Sequence, residues 1–169
     1  MPRCIPSPGR TALLLCLFSL SGLWVSSPVH CSERRPFYCP LTLPGAETSP
    51  LAEAIFQVAE SGEEIHFTLE VRDLANITMA HVHIGLKEGI STPIVWLYPS
   101  SPPPKLIPGP FEGVFTQGSI TAKDLVGPLR GRPLSVLIRE MEAGKTYVNI
   151  HTIEHPGGAI CGQVELSAE

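Results

Sequence analysis

Apolar and polar residues alternate with period two along most of the second half of the chain, and that period marks half-buried strands. Ile65, Phe67, Leu69 and Val71 alternate with His66, Thr68, Glu70 and Arg72. Asp73 to Asn76 reads as a turn, after which Ile77–Gly85 resumes the alternation. Within it, Ala80, Val82 and Ile84 point one way and His81 and His83 the other. Ala54–Val58 precedes this pair as a strand, and Ile94–Tyr98, Phe111–Thr116, Tyr147–Thr152 and Ala159–Leu166 follow it. Between them Leu134, Leu137, Ile138 and Met141 recur at helical spacing. Pro133 suits a helix start and Gly144 a helix end, so one helix is predicted over 133–143. Thr121 followed by Asp124 is a hydroxyl–acid capping pattern that opens a single short turn. Pro99 to Pro110 is expected to be an exposed connector, because proline donates no ladder hydrogen bond. About seven short strands with one helical insert predict an all-β fold, a Greek-key antiparallel sandwich.

The first thirty residues do not share this pattern. Arg3 and Arg10 precede an unbroken apolar run, Thr11 to Val25, and small residues follow it. The run is about 15 residues where a spanning helix needs roughly 20, so a secretory signal peptide over 1–30 is expected rather than a membrane anchor. Residues 31–50 read as an irregular Pro-rich segment, and 51–169 as the folded domain. Export would place the mature chain outside the cell, soluble and with no span left.

A length of 169 residues fits one domain, and 43% apolar residues suffice for a core. The net charge of -4, with no basic stripe, argues against nucleic acid as a partner. Of the five cysteines, Cys4 and Cys16 would leave with the signal. In an oxidising compartment Cys39 and Cys161 are expected to pair, adding ~2–4 kcal/mol by closing a long loop. Cys31–Cys161 is the alternative. Asn76-Ile77-Thr78 is a sequon for N-glycosylation of Asn76.

The chemistry-bearing feature is the histidines. His81 and His83 share a strand face, and His151 lies likewise opposite the apolar residues of Tyr147–Thr152. Side by side, the two strands would gather His81, His83 and His151 into a copper or zinc site, with His155 or His66 as a fourth ligand. The competing reading is structural, with histidines that hydrogen-bond loop backbone, Asn149 or Thr152 and tie the strands together. In a third reading this face packs against the helix and lines an interior pocket. Nucleophile elbow, phosphate loop, paired catalytic carboxylates and H-E-x-x-H are all absent from the sequence. Catalysis is therefore not expected.

Several stretches resemble, in order, the CHRD domain first defined in chordin, a secreted growth-factor antagonist. They are Ala80–Gly85, Pro93–Val95, Gly118–Leu125, Gly144–Thr152 and His155–Gln163, within a resemblance that runs from about Leu41 to Leu166. The chain looks more like the stand-alone microbial form, since chordin's cysteine-rich modules are absent. The resemblance implies an immunoglobulin-like β-barrel with some similarity to copper–zinc superoxide dismutases, without their zinc loop. It also implies no established activity. By analogy the partner would be an extracellular protein ligand, or a surface or matrix component. Ala159 and Cys161 stand where the family commonly has an acid and an arginine, and the cysteine there fits the expected bridge.

Overall fold

The computed structural model describes residues 34–45, 49–87 and 91–168. The signal-like run and Cys31 lie outside the described residues, and so does the Cys31–Cys161 pairing. Among the described residues there are eight strands: β1 (Phe37–Leu41), β2 (Ala52–Val58), β3 (Ile65–Ile84), β4 (Pro93–Tyr98), β5 (Ile107–Ile120), β6 (Thr146–Thr152), β7 (Ile160–Gln163) and β8 (Glu165–Leu166). One helix, α1 (Leu134–Glu142), and two 3-10 turns, Ala122–Asp124 and Gly127–Leu129, lie between β5 and β6. The all-β expectation holds.

β3 organises the sheet. Its first half pairs with β2 and β5, and its second half with β4 and β6. Ile77 is paired with both Ile107 and Thr152, and Ala80 with both Tyr98 and Ile150. β5 therefore lies opposite β6, and β4 opposite β6, which leaves β2 and β6 on one edge of β3 and β4 and β5 on the other. From that first edge the sheet runs β2, β1, then β7 and β8, then β6, and returns to β3. Closure falls between β1 and the last strands, through Phe37↔Leu166, Tyr38↔Glu165 and Thr42↔Cys161 in one unbroken antiparallel register. The layers expected as a sandwich are thus parts of one nearly closed sheet that shares β3.

Three expectations are corrected by local chemistry. Asp73 to Asn76 is a kink inside β3 rather than a turn between two strands. Asp73 and Asn76 take left-handed backbone angles (φ 52° and 55°), and the ladder slips there. Asp and Asn tolerate that conformation best among residues with side chains, and such bulges bend a strand without ending it. Pro108 and Pro110 lie inside β5, whose ladder is to β3 alone. On an edge strand proline can face its missing donor away from the ladder. The segment expected to be irregular contains β1, whose Phe37, Cys39 and Leu41 are buried.

The helix forms as its spacing predicts. Pro133 is its N-cap, and Gly144 (φ 63°) ends it, with amides of Gly144 and Lys145 donating to Met141 and Glu140 carbonyls. Leu134, Leu137, Ile138 and Met141 join the core that Ala80, Val82, Val148 and Ile150 enter from the sheet. The histidines alternate with those sheet residues and sit on the other face, so the helix does not cover them. Thr121 and Asp124 form the expected capping box.

The Cys39–Cys161 bridge is not formed. Cys39 sits on the inward face of β1, fully buried, and its thiol donates to the Gly162 carbonyl at 3.1 Å. Cys161 stands on the outward face of β7, with Thr42 as its cross-strand partner and Sγ 3.9 Å from the Lys87 carbonyl. Two cysteines on opposite faces of a sheet cannot bring their sulfurs together. Burial pushes the Cys39 thiol up to about 12.

Candidate metal centre

The outward face of β3 and β6 is where the histidines meet. Antiparallel register sets Met79 against His151, His81 against Asn149, and His83 against Tyr147, while β4 places Trp96 against His81. His81, His83 and His151 are all buried, at 3%, 6% and 8% exposure. One potential ligand nitrogen from each ring lies within 4.8 Å of the others. The rings also touch: His81 meets His151 and His83 edge to face, with centroids 5.1 and 5.7 Å apart.

Backbone carbonyls fix the tautomers. His83 Nδ1 is 2.9 Å from the Ser91 carbonyl oxygen, and His151 Nδ1 is 2.9 Å from that of Pro156. A carbonyl oxygen only accepts, so each Nδ1 carries the proton and each Nε2 presents a lone pair. His81 Nδ1 lies 3.3 Å from His151 Nε2, which makes His81 Nδ1 the donor of that bond. The Nε2 atoms of His81 and His83 are buried and have no hydrogen-bond partner among the described residues. Burial, with His151 and His83 adding to it, lowers His81 to about 3. Burial also lowers His83 and His151, against the opposing pull of the Ser91 and Pro156 carbonyls. The three rings are therefore neutral at physiological pH, the state in which imidazole binds metal.

A ring nitrogen held to a backbone carbonyl, with the other nitrogen aimed inward, is the usual support for a metal-binding histidine. The spacing suits an ion as well. One nitrogen from each ring lies within 4.8 Å of the others, so the widest pair closes by about 1.4 Å to reach the ~3.4 Å edge of a tetrahedron with metal–nitrogen bonds of ~2.05 Å. An ion held by all three rings replaces the His81–His151 hydrogen bond with a metal bond at His151 Nε2.

The other expected ligands are elsewhere. His155 is exposed in the turn after β6, where its backbone amide donates to the Thr152 hydroxyl, and it does not join the cluster. His66 is exposed on the first half of β3, with Nδ1 2.9 Å from Ser119 Oγ. Both sit beyond the kink or the strand end that separates them from the cluster. Asn76 is half-buried; its Oδ1 accepts from the Gly109 amide, and its Nδ2, the atom a glycan would take, donates to Glu154 Oε1 at 2.8 Å.

Four features were not legible as site residues. Trp96 stands perpendicular to His81 with ring centroids 4.2 Å apart, and Tyr147 stacks on His83 at 4.8 Å and 12°. The carbonyls of Ser91 and Pro156 come from loops, which no strand pattern foretells. Gln163 acts at a distance from the rings. Its Nε2 lies 2.7 Å from the Thr146 carbonyl, 2.9 Å from that of Gly144 and 3.1 Å from that of Gly85, while its Oε1 accepts from the Lys87 amide at 3.0 Å. It thereby fixes the start of the loop that carries Ser91.

An all-β domain with a buried three-imidazole cluster on the outside of its sheet is the class that fold and site define. The CHRD domain model matches residues 40–164, and the chain belongs to that family. Neither the curated proteins nor the solved structures contain a match to it.

Proposed function

We propose that this CHRD-domain protein is a secreted, non-enzymatic module that binds one copper or zinc ion through His81, His83 and His151. The observation that carries the reading is the pair of buried Nε2 lone pairs on His81 and His83 that have no hydrogen-bond partner among the described residues. Leaving a buried polar atom unpaired costs ~1–3 kcal/mol, and a metal ion is the ligand these lone pairs suit. Export rests on the apolar N-terminal run, and absence of catalysis on the absence of any nucleophile or acid–base motif in the sequence. A partner in the form of an extracellular protein or matrix component is compatible with the same module.

One observation favours a structural role instead, the hydrogen bond that joins His81 to His151 across β3 and β6. Elemental analysis of the secreted protein, purified without tag or chelator, separates the two. Stoichiometric copper or zinc that disappears in the His81→Ala/His83→Ala double variant supports the metal site. No bound metal, with no uptake at micromolar copper or zinc, leaves the histidines structural.

A further inference from the structure

We infer that the centre selects monovalent copper, with Trp96 as the wall that keeps it from solvent. The inference rests on the metal reading above and names its ion. Three independent features carry it: charge, donor count and the aromatic wall.

The donor set carries no negative charge. Among the described residues the ligand group is three neutral imidazoles, with no carboxylate or thiolate. Among the described residues, Nδ1 of His83 and of His151 is held by a neutral backbone carbonyl, where metal sites often place a carboxylate. The cost of burying an uncompensated ion grows with the square of its charge, so a divalent ion costs about four times as much as a monovalent one. Copper(I) asks for the smaller of these.

The donor count agrees. Structural zinc takes four protein ligands, and catalytic zinc completes its set with water from an open side. Here the cluster offers three donors, and the Nε2 atoms of His81 and His83 are shut off from solvent. Copper(I), singly charged and with no demand for a fourth ligand, accepts a three-nitrogen set. Trp96 adds the wall. It stands perpendicular to His81 with ring centroids 4.2 Å apart, is itself half-buried, and borders a groove of about 290 Å³ with Tyr98, Pro99 and Lys105.

The test is a pair of competition titrations on the metal-free full chain, one with copper(I) under anaerobic conditions and one with zinc(II). Each uses a chromogenic chelator of known affinity, and X-ray absorption then counts the donors. The expected result is one copper(I) per chain, bound at least about a hundredfold tighter than zinc(II), with three nitrogen donors and no oxygen. Zinc(II) bound as tightly as copper(I), or a fourth oxygen ligand, would overturn the inference and leave the proposed metal site standing. Failure to bind either ion overturns both. Trp96→Phe should retain stoichiometric copper(I) but let air oxidise it about tenfold faster, because the apolar shell around a site sets solvent access. An unchanged oxidation rate overturns the role given to Trp96. The copper(I)-to-zinc(II) comparison on the unaltered chain needs no variant, so misfolding of a variant cannot obscure it.

Discussion

A neutral imidazole buried with an unsatisfied lone pair is a poor structural device, because an apolar side chain of similar size would fill the space without the penalty. This gives a direct expectation for His81→Leu. In the absence of metal the variant should unfold in urea within about 1 kcal/mol of the parent, while the stabilisation by added metal disappears. If the histidines are instead structural, the same change should lower the metal-free stability by ~1–3 kcal/mol, with no metal effect to lose. Cys39 provides a second test at this scale. Its thiol is fully buried and pushed up to about 12. It should resist iodoacetamide at pH 8 for as long as the chain is folded and react promptly in denaturant. Its linkage to pH has a definite sign. The unfolded thiol ionises near 8.5, so folding stability is lost as pH rises from there towards 12.

At the scale of elements, the sheet closes through one glycine. A Cβ on Gly162 would overlap the carbonyl oxygen of Pro40 and crowd Cys39 Sγ. Gly162→Ala should therefore push β7 from β1 and cost about 3 kcal/mol in thermal or chemical denaturation. Gln163→Leu, one residue on, removes the side-chain hydrogen bonds through which Gln163 reaches Gly85, Gly144, Thr146 and Lys87. It should cost ~2–3 kcal/mol and weaken metal binding along with stability, since Lys87 begins the loop that holds His83. Strand positions and faces were readable because period two survives in the sequence. His81 and His83 alternate with Ala80 and Val82, and that alternation fixed their face before any neighbour was known. What joined them to His151 was register, which depends on the kink at Asp73–Asn76 and on pairings dozens of residues apart. The same limit explains the cysteines. Cys161 reads correctly as outward, but nothing in Phe37–Leu41 announces a strand, with Pro40 inside it, so the inward face of Cys39 stayed hidden. His155 and His66 looked like ligands because proximity in sequence or pattern says nothing about which side of a bend a ring ends on.

For the molecule as a whole, the three histidines make stability depend on acid. Each is lowered in the fold, chiefly by burial, and titrates near 6.5 when unfolded. Below that value the unfolded chain binds more protons than the folded one, so stability falls as pH drops. The metal-free protein should hold a level melting temperature between pH ~7 and ~8 and lose it progressively below pH ~6.5. Bound metal should raise the melting temperature and lose that effect over the same range, because protons and metal compete for the same nitrogens. At a thousandfold excess over its dissociation constant, the ion adds about 4 kcal/mol, readable by differential scanning calorimetry with and without chelator.

Phe37 pairs with Leu166, so the chain enters and leaves the domain at adjacent positions on one seam. A unit built in this way can be carried as a bead on a longer polypeptide. It can be spliced into the loop of a host or strung in tandem, because both attachment points fall side by side.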